Sequence, residues 1–499
     1  MVVPTEKQMV KAAASKLGGP EATLADTELT RLLATLELEN DWADVSAKKF
    51  RSILVKHNII AGDTAPTAGS SSNGTATASN GAASSSSAKK KKKSKTDQGV
   101  PKSFIDPSVS IPSGIRGEYF DAVKGKGLVA TRSFAEGELL FTEEAYIPTP
   151  PPEALDQVVR GELCAQCFLP ISSAPVALAI KDCHKCKYRF CTSSCHRAAM
   201  ATHHTLLCTG LNPGASEVME LVREHKWQSL HCVARSLARL VSTLAYGTMK
   251  RLGEEAELEQ TYGDFETVYG RLSSFATVSE LERRSRNPGW STEKASFEPL
   301  LSRAHAALRT ALDPYSPSPP SSITPALLDL HTRKSTLKSL FDAPTFLKLL
   351  GRANINMEKF GGLYSLHSFL NHSCNPNVQI RHVPARGILA SMKIAALALR
   401  PIAPHDELVI SYIDPNTRLG RRQLLLYRDY CFGPCTCDKC KAELDAIGLV
   451  FDPSKHGVKG FLDSVAKKTA TDTDADSNAA QPAGADASLE EELRASLGF

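Results

Sequence analysis

The sequence predicts an α+β protein in which a β-rich domain is split by a cysteine-rich insertion and a block of helices. Two glycine-punctuated stretches of short apolar runs, 116–147 and 354–412, carry the strand pattern. Between them, apolar residues recur at helical spacing instead. All 13 cysteines except Cys232 and Cys431 stand in tight groups, inside that gap and on its far side.

At 499 residues the chain exceeds what one core organises, so roughly two to four domains are expected. Composition is globular, 42% hydrophobic and 23% charged, and a net charge of +5 suits an acidic or nucleic-acid-rich setting without requiring one. No apolar run reaches the ~18 residues of a membrane span, and the first residues lack the apolar stretch of a secretory signal. A cytosolic or nuclear protein with no membrane partner is expected. In that reducing setting, paired cysteines point to zinc rather than to disulfides. Cys232, outside the groups, reads as a buried apolar thiol.

Residues 1–62 read as a small helical module: Leu29, Leu32, Leu33 and Leu36 repeat at helical spacing, as do Phe50, Ile53 and Leu54 after Ser46, an N-cap residue type. Residues 63–103 are too polar to bury a core and read as a disordered linker. Lys89 to Lys93 and Lys95 form a basic run there. Alone, such a run is solvated charge; the sharper reading is a nuclear-import signal or a nucleic-acid contact. Strands are expected in 104–150 around Gly125-Lys126-Gly127, with Phe134, Leu139, Leu140 and Phe141 available for burial.

The cysteine-rich knot occupies 160–210, and helices fill 211–349. Leu230, Val233, Ala234, Leu237, Val241 and Leu244 form one apolar face, and Phe297, Leu300, Leu301, Ala304 and Leu308 another. After a break at Ser316 to Pro320, one more helix is expected near 333–350. Strands return in 350–415, a cysteine segment follows at 416–445, and 464–499 reads as a disordered acidic tail with a short helix after Ser488.

Cys164-x2-Cys167, Cys183-x2-Cys186, Cys191-x3-Cys195 and His204-x3-Cys208 offer ligands for two closed tetrahedral zinc sites. With every position filled by protein, such sites are structural and not catalytic. Asn371-His372-Ser373-Cys374 contributes a further thiol, and Cys435-x-Cys437-x2-Cys440 three more, enough for a third zinc. Asp406-Glu407-Leu408-Val409-Ile410-Ser411-Tyr412 reads as a strand ending in an aromatic residue. Taken singly these are an ordinary loop, a common thiol pair and a core strand.

Taken in order, the three pieces resemble SET-domain lysine methyltransferases, over roughly 115–150 and 350–442. The layout, a SET domain interrupted by a finger, is similar to the SMYD family, above all to fungal MYND-linked SET proteins that methylate histones, histone H4 in particular. The knot resembles a MYND finger, whose ligands alternate between two metals. That resemblance implies one zinc on Cys164, Cys167, Cys191 and Cys195 and another on Cys183, Cys186, His204 and Cys208. The gap before His204 is one residue longer than in the family, which leaves His203 as an alternative ligand. Met200 stands where the family has an aromatic, near its surface for proline-rich peptides.

The resemblance further implies S-adenosyl-L-methionine (AdoMet) as methyl donor. Lys124-Gly125-Lys126-Gly127-Leu128 resembles the first AdoMet-binding turn, where glycine permits close backbone approach, with Lys124 or Lys126 toward the methionyl carboxylate. Asn371 and His372 would hold the methionyl amine and the adenine, Phe432 would line the cofactor and lysine channel, and Tyr412 would be the catalytic tyrosine. Glu407 would cap or pair. Cys374, Cys435, Cys437 and Cys440 would form a post-SET zinc site that pins the C-terminal segment over the cleft. The implied partners are a histone tail or another lysine-bearing protein, chromatin, and a proline-rich peptide at the finger. A non-catalytic adaptor built on that finger is the alternative of another class.

Overall fold

The computed structural model describes residues 4–16, 47–57 and a few positions between, then 100–174, 180–249, 262–317, 334–387, 391–452 and 457–471. Ser46, the basic run, most of the expected linker and the tail beyond 471 lie outside the described residues. The chain divides into two compact units, 1–92 and 93–499. In the first, α1 (Glu6–Lys16) and α2 (Ala47–Lys56) bury Met9, Ala13, Phe50, Ile53 and Leu54 together with Leu29, Leu33 and Leu36. The leucine spacing thus meets a partner face, supplied by Met9 and Ala13 one helical turn apart.

The second unit joins two distant parts of its own chain. β1 (Ile115–Asp121), β2 (Gly125–Ala130) and β3 (Leu139–Glu144) come first, then the hairpin β4 (Lys181–Asp182) and β5 (Arg189–Phe190). β6 (Asn371–His372), β7 (Val378–His382), β8 (Lys393–Ala398) and β9 (Glu407–Ile410) follow the helices. The main sheet has the order β1-β2-β9-β6 and a second has the order β3-β8-β7. β2 is buried along its whole length, as a central strand must be, and pairs Leu128 with Leu408 and Val129 with Glu407 of β9. β6 runs parallel to β9, setting Asn371 opposite Val409 and His372 opposite Ile410.

Phe134, Leu140, Phe141, Leu366, Phe369 and Leu408 close one core between the sheets. Leu139, expected inside, is 51% exposed: an irregularity in the pairing of β3 with β8 between Leu139 and Phe141 breaks the alternation, and Leu140 and Phe141 are both buried.

The longer helices described before β6 are α3 (Pro152–Val159), α4 (Ser193–Ala199), α5 (Pro213–Glu224), α6 (Gln228–Met249), α7 (Phe265–Ser274), α8 (Glu280–Arg284), α9 (Trp290–Leu312), α10 (Lys334–Leu340) and α11 (Ala343–Asn356), with a single helical turn at Thr205–Leu207 besides. The predicted apolar face of α6 is buried throughout; on α9 all but Leu300 are fully buried. The single helix expected near 333–350 is two, because Asp342 caps a new start by accepting from Thr345 N at 2.7 Å, with Pro344 in the first turn.

The C-terminal helices are α12 (Leu419–Asp429), α13 (Asp438–Ala446) and α14 (Val458–Thr471). The disordered tail expected from 464 is corrected at its start, because α14 continues to Thr471 and packs Phe461 and Val465 with Leu426 and Leu444. No helix among the described residues is long and apolar enough to cross a membrane.

Gly351 lets α11 lie close against the 278–280 backbone, since a Cβ there would lie 2.0 Å from the carbonyl oxygen of Val278. Gly351→Ala should therefore lower stability by about 1–3 kcal/mol, read from the urea unfolding midpoint.

Candidate active site and metal clusters

Three groups of ligand atoms converge: Cys164, Cys167, Cys191 and Cys195; Cys183, Cys186, His204 and Cys208; and Cys374, Cys435, Cys437 and Cys440, each with all its atoms within 4.8 Å of one another. Along the insertion, the first and third pairs share one group and the second and fourth the other. Sulfur separations of 3.6 Å (Cys167–Cys191), 3.8 Å (Cys183–Cys208) and 3.5 Å (Cys374–Cys440) distinguish the chemistry. Zn–S bonds of about 2.3 Å set tetrahedral edges near 3.8 Å, whereas a disulfide would bring sulfurs to about 2.05 Å. The donor sets fit zinc.

His204, and not His203, joins the second group, with Nε2 3.7 Å from Cys186 Sγ. A π-turn over Met200–His204 absorbs the extra residue of this spacing. His203 is rotated inward, where its Nδ1 donates to Ala199 O at 3.0 Å.

The third group borders a cleft of about 730 Å³, within the range of small-molecule sites. Lys124, Asn371, His372, Tyr412, Tyr430 and Phe432 line it. The rings converge, with centroids 4.8 Å apart for Tyr412–Tyr430, 5.3 Å for His372–Tyr412 and 5.7 Å for His372–Phe432.

His372 is locked from both sides. Its Nδ1 accepts from Tyr412 N at 3.0 Å, which places the ring proton on Nε2, 3.2 Å from Cys374 Sγ. Burial pulls its pKa down to about 4, so the imidazole is neutral and donates its one proton to sulfur. Tyr412 donates its hydroxyl to Leu370 O at 2.8 Å, and burial, then Tyr430 and Glu407, push its pKa up. Tyr430 donates to Tyr412 O at 3.0 Å, and its own hydroxyl is pushed up to about 12, chiefly by burial.

Asn371 Nδ2 donates to Lys126 O at 3.1 Å and to Glu407 Oε1 at 2.9 Å, while Glu407 Oε2 pairs with Lys124. The two lysines of the glycine turn therefore part ways. Lys124 faces the cleft mouth beside Glu407. Lys126 is only 2% exposed, with Nζ 3.1 Å from Ser368 Oγ and 4.0 Å from the Phe369 ring centre; burial lowers its pKa to about 7. A Cβ on Gly127 would lie 2.5 Å from the Phe120 ring and 2.8 Å from Asn371 Nδ2, so glycine here leaves room for Asn371. Leu128 points its side chain into the core.

Three supporting residues escaped the sequence reading. Tyr430 had a signal, standing two residues before Phe432. Asn377 extends the β9 ladder with a side chain, donating to Glu407 O and accepting from Val409 N, both at 2.8 Å. The half-buried carboxylate of Glu143 accepts from Leu366 N at 2.9 Å and His367 N at 3.0 Å, fixing the turn that leads into Asn371. Nothing local in sequence announces either bond.

Residues 125–413 match the family model for the SET domain. The chain is 63% identical, over the full length of both, to a Mycosarcoma maydis protein named histone-lysine N-methyltransferase SET5. A Candida glabrata protein of that name is 26% identical over 64% of this chain and 57% of its own. Mouse (Mus musculus) protein-lysine N-trimethyltransferase SMYD5 is 24% identical over 66% of this chain and 86% of its own.

Asn377→Ala leaves a strand donor and acceptor without their partner. It should destabilise the protein by about 1–3 kcal/mol in urea unfolding.

Proposed function

This chain belongs to the SET-domain family, and from that premise we propose that it is an AdoMet-dependent protein-lysine N-methyltransferase acting on histone tail lysines, those of histone H4 first. The observation that carries the proposal is the convergence of Asn371, His372, Tyr412 and Phe432 on one cleft beside a tetrathiol cluster. AdoMet supplies the sulfonium methyl that is transferred. The chain's own residues bind, align and exclude water.

Both amide protons of Asn371 are engaged by the protein, which turns its carbonyl oxygen into the natural acceptor for the methionyl amine. Lys124 at the mouth is the cation for the carboxylate, in exchange with Glu407. His372 and Phe432 offer faces to the adenine and the substrate stem. Tyr412 keeps its proton at neutral pH, so it acts through its hydroxyl dipole and not as a base. The attacking lysine must arrive neutral. Its ordinary pKa is about 10.4, and an aromatic, partly dry cleft disfavours the ammonium.

We assign the two clusters of the insertion to a MYND-type finger and the third to a post-SET zinc segment. A proline-rich peptide is the partner we assign to the finger surface near Met200, which is 37% exposed. Nuclear, chromatin-associated localisation follows from the substrate class. A non-histone protein is the second reading, favoured by the mouse relative, whose name specifies only a protein lysine.

Incubation with radiolabelled AdoMet and either core histones or a histone-depleted nuclear extract tests the proposal. Label on a histone H4 lysine supports it, label confined to the extract favours the second reading, and no label in either sinks both. Tyr412→Phe should cut turnover by about 100-fold or more while zinc content by atomic absorption stays native. The native chain should hold three zinc ions, one per cluster. Cys435→Ser should lose one together with activity, while Cys183→Ser should lose one yet still bind AdoMet in calorimetry.

A further inference from the structure

The loop joining β7 to β8 contains two successive residues in the left-handed region, Arg386 (φ +47°) and Gly387 (φ +79°). Left-handed backbone of this kind ordinarily goes to glycine, asparagine or aspartate. A long side chain there is strained relative to glycine, and such strain persists where something else holds it.

What holds it is sulfur. The Arg386 guanidinium reaches the first cysteine cluster, with Nη2 3.1 Å from Cys191 Sγ and 3.4 Å from Cys167 Sγ. Its Nη1 is buried without a hydrogen-bond partner among the described residues, so the side chain is not placed for a surface ion pair. Met392, at the foot of β8, sits in the same apolar cluster as Cys164 and Cys191. The hairpin is thus seated on the cysteine-rich module at two points. Neutral thiols are weak acceptors and give a guanidinium little reason to be there. Four thiolates around one Zn2+ leave a net double negative charge, which the arginine offsets.

We propose that Arg386 is an outer-sphere partner of the first zinc: it binds the metal-held sulfurs of Cys167 and Cys191 and ties the β7–β8 hairpin to that metal. The proposal rests on the assignment of zinc to this cluster. The coupling is reciprocal: the arginine tightens the zinc, and the zinc fixes the hairpin. β7 starts at Val378, directly after Asn377, whose amide spans Glu407 and Val409. One short strand therefore connects this metal to the strand that leads to Tyr412.

The test compares the full-length native protein with R386G and R386K, loaded with zinc and titrated with a competing chromogenic chelator while thermal melting is followed. Glycine suits the left-handed backbone, so R386G relaxes the turn while removing the guanidinium. The expected result is that R386G yields one of its zinc ions roughly 10- to 100-fold more readily than native, with the other two unchanged. R386K, which keeps the charge without the fork, should fall between. If Arg386 only shapes the turn, R386G melts at or above the native temperature and competes for zinc like native, which overturns the inference. If the native protein lacks the zinc of this cluster altogether, the metal assignment fails first, and the two failures are told apart by native zinc stoichiometry.

Discussion

One imidazole joins the sulfur chemistry of this protein to its cleft. His372 gives its only proton to Cys374 Sγ and takes the backbone N–H of Tyr412, so the third cluster and the tyrosine cannot shift independently. The far side of that cluster is equally constrained. The fully buried Gln423 of α12 clamps the backbone of Cys435, donating to its carbonyl at 3.1 Å and accepting its N–H at 2.7 Å. The adjacent Arg422 brings Nη2 to 3.7 Å from Cys440 Sγ. Tyr430 and Phe432 lie on the short link between α12 and Cys435. Their place in the cleft follows from fixing both its ends. Closing this cluster is thus what turns an open sheet edge into a walled site.

The sheet beneath depends on pairing β2 with β9 across a long insertion. Loop-closure entropy rises only logarithmically, so lengthening a 10-residue connection to about 280 residues adds roughly 3 kcal/mol. The insertion lessens even that, because its helices close a core of their own through α5, α6 and α9. Packing there is tight: a Cβ on Gly214 would lie 2.5 Å from Ala311 N. A self-sufficient insertion can hold two strand-bearing segments within reach of each other and still leave their shared strand to the hydrophobic pattern.

Much of this was legible because it is written locally. Thiol pairs at tight spacing, leucines at helical intervals and an apolar strand leading to a tyrosine (the strand itself stops at Ile410) each report on their own neighbourhood. The misses share another physics. One residue too many before His204 left two histidines open, and only the π-turn, a three-dimensional accommodation, chooses between them. The space that Gly127 leaves for Asn371 is set by a contact across about 240 residues and has no local mark. Asn377 and Glu143 bond to backbone atoms of other elements, and no periodicity or spacing encodes such a partner.

The protonation states in the cleft bear on which chemistry it suits. Glu407 is engaged by Asn371 and Lys124, His372 is neutral with its proton committed to sulfur, and the two tyrosines keep theirs. Lys126 is lowered to about 7, yet its amine is turned to Ser368 and the face of Phe369. A proton-abstracting reaction needs a group near neutral pKa within hydrogen-bond reach of its substrate. Among the described residues of this cleft none is both uncommitted and so tuned. A reaction that fits must bring in a nucleophile already stripped of its proton and ask the protein only for alignment, dryness and fixed dipoles. Transfer of a sulfonium methyl to a neutral amine asks for nothing more.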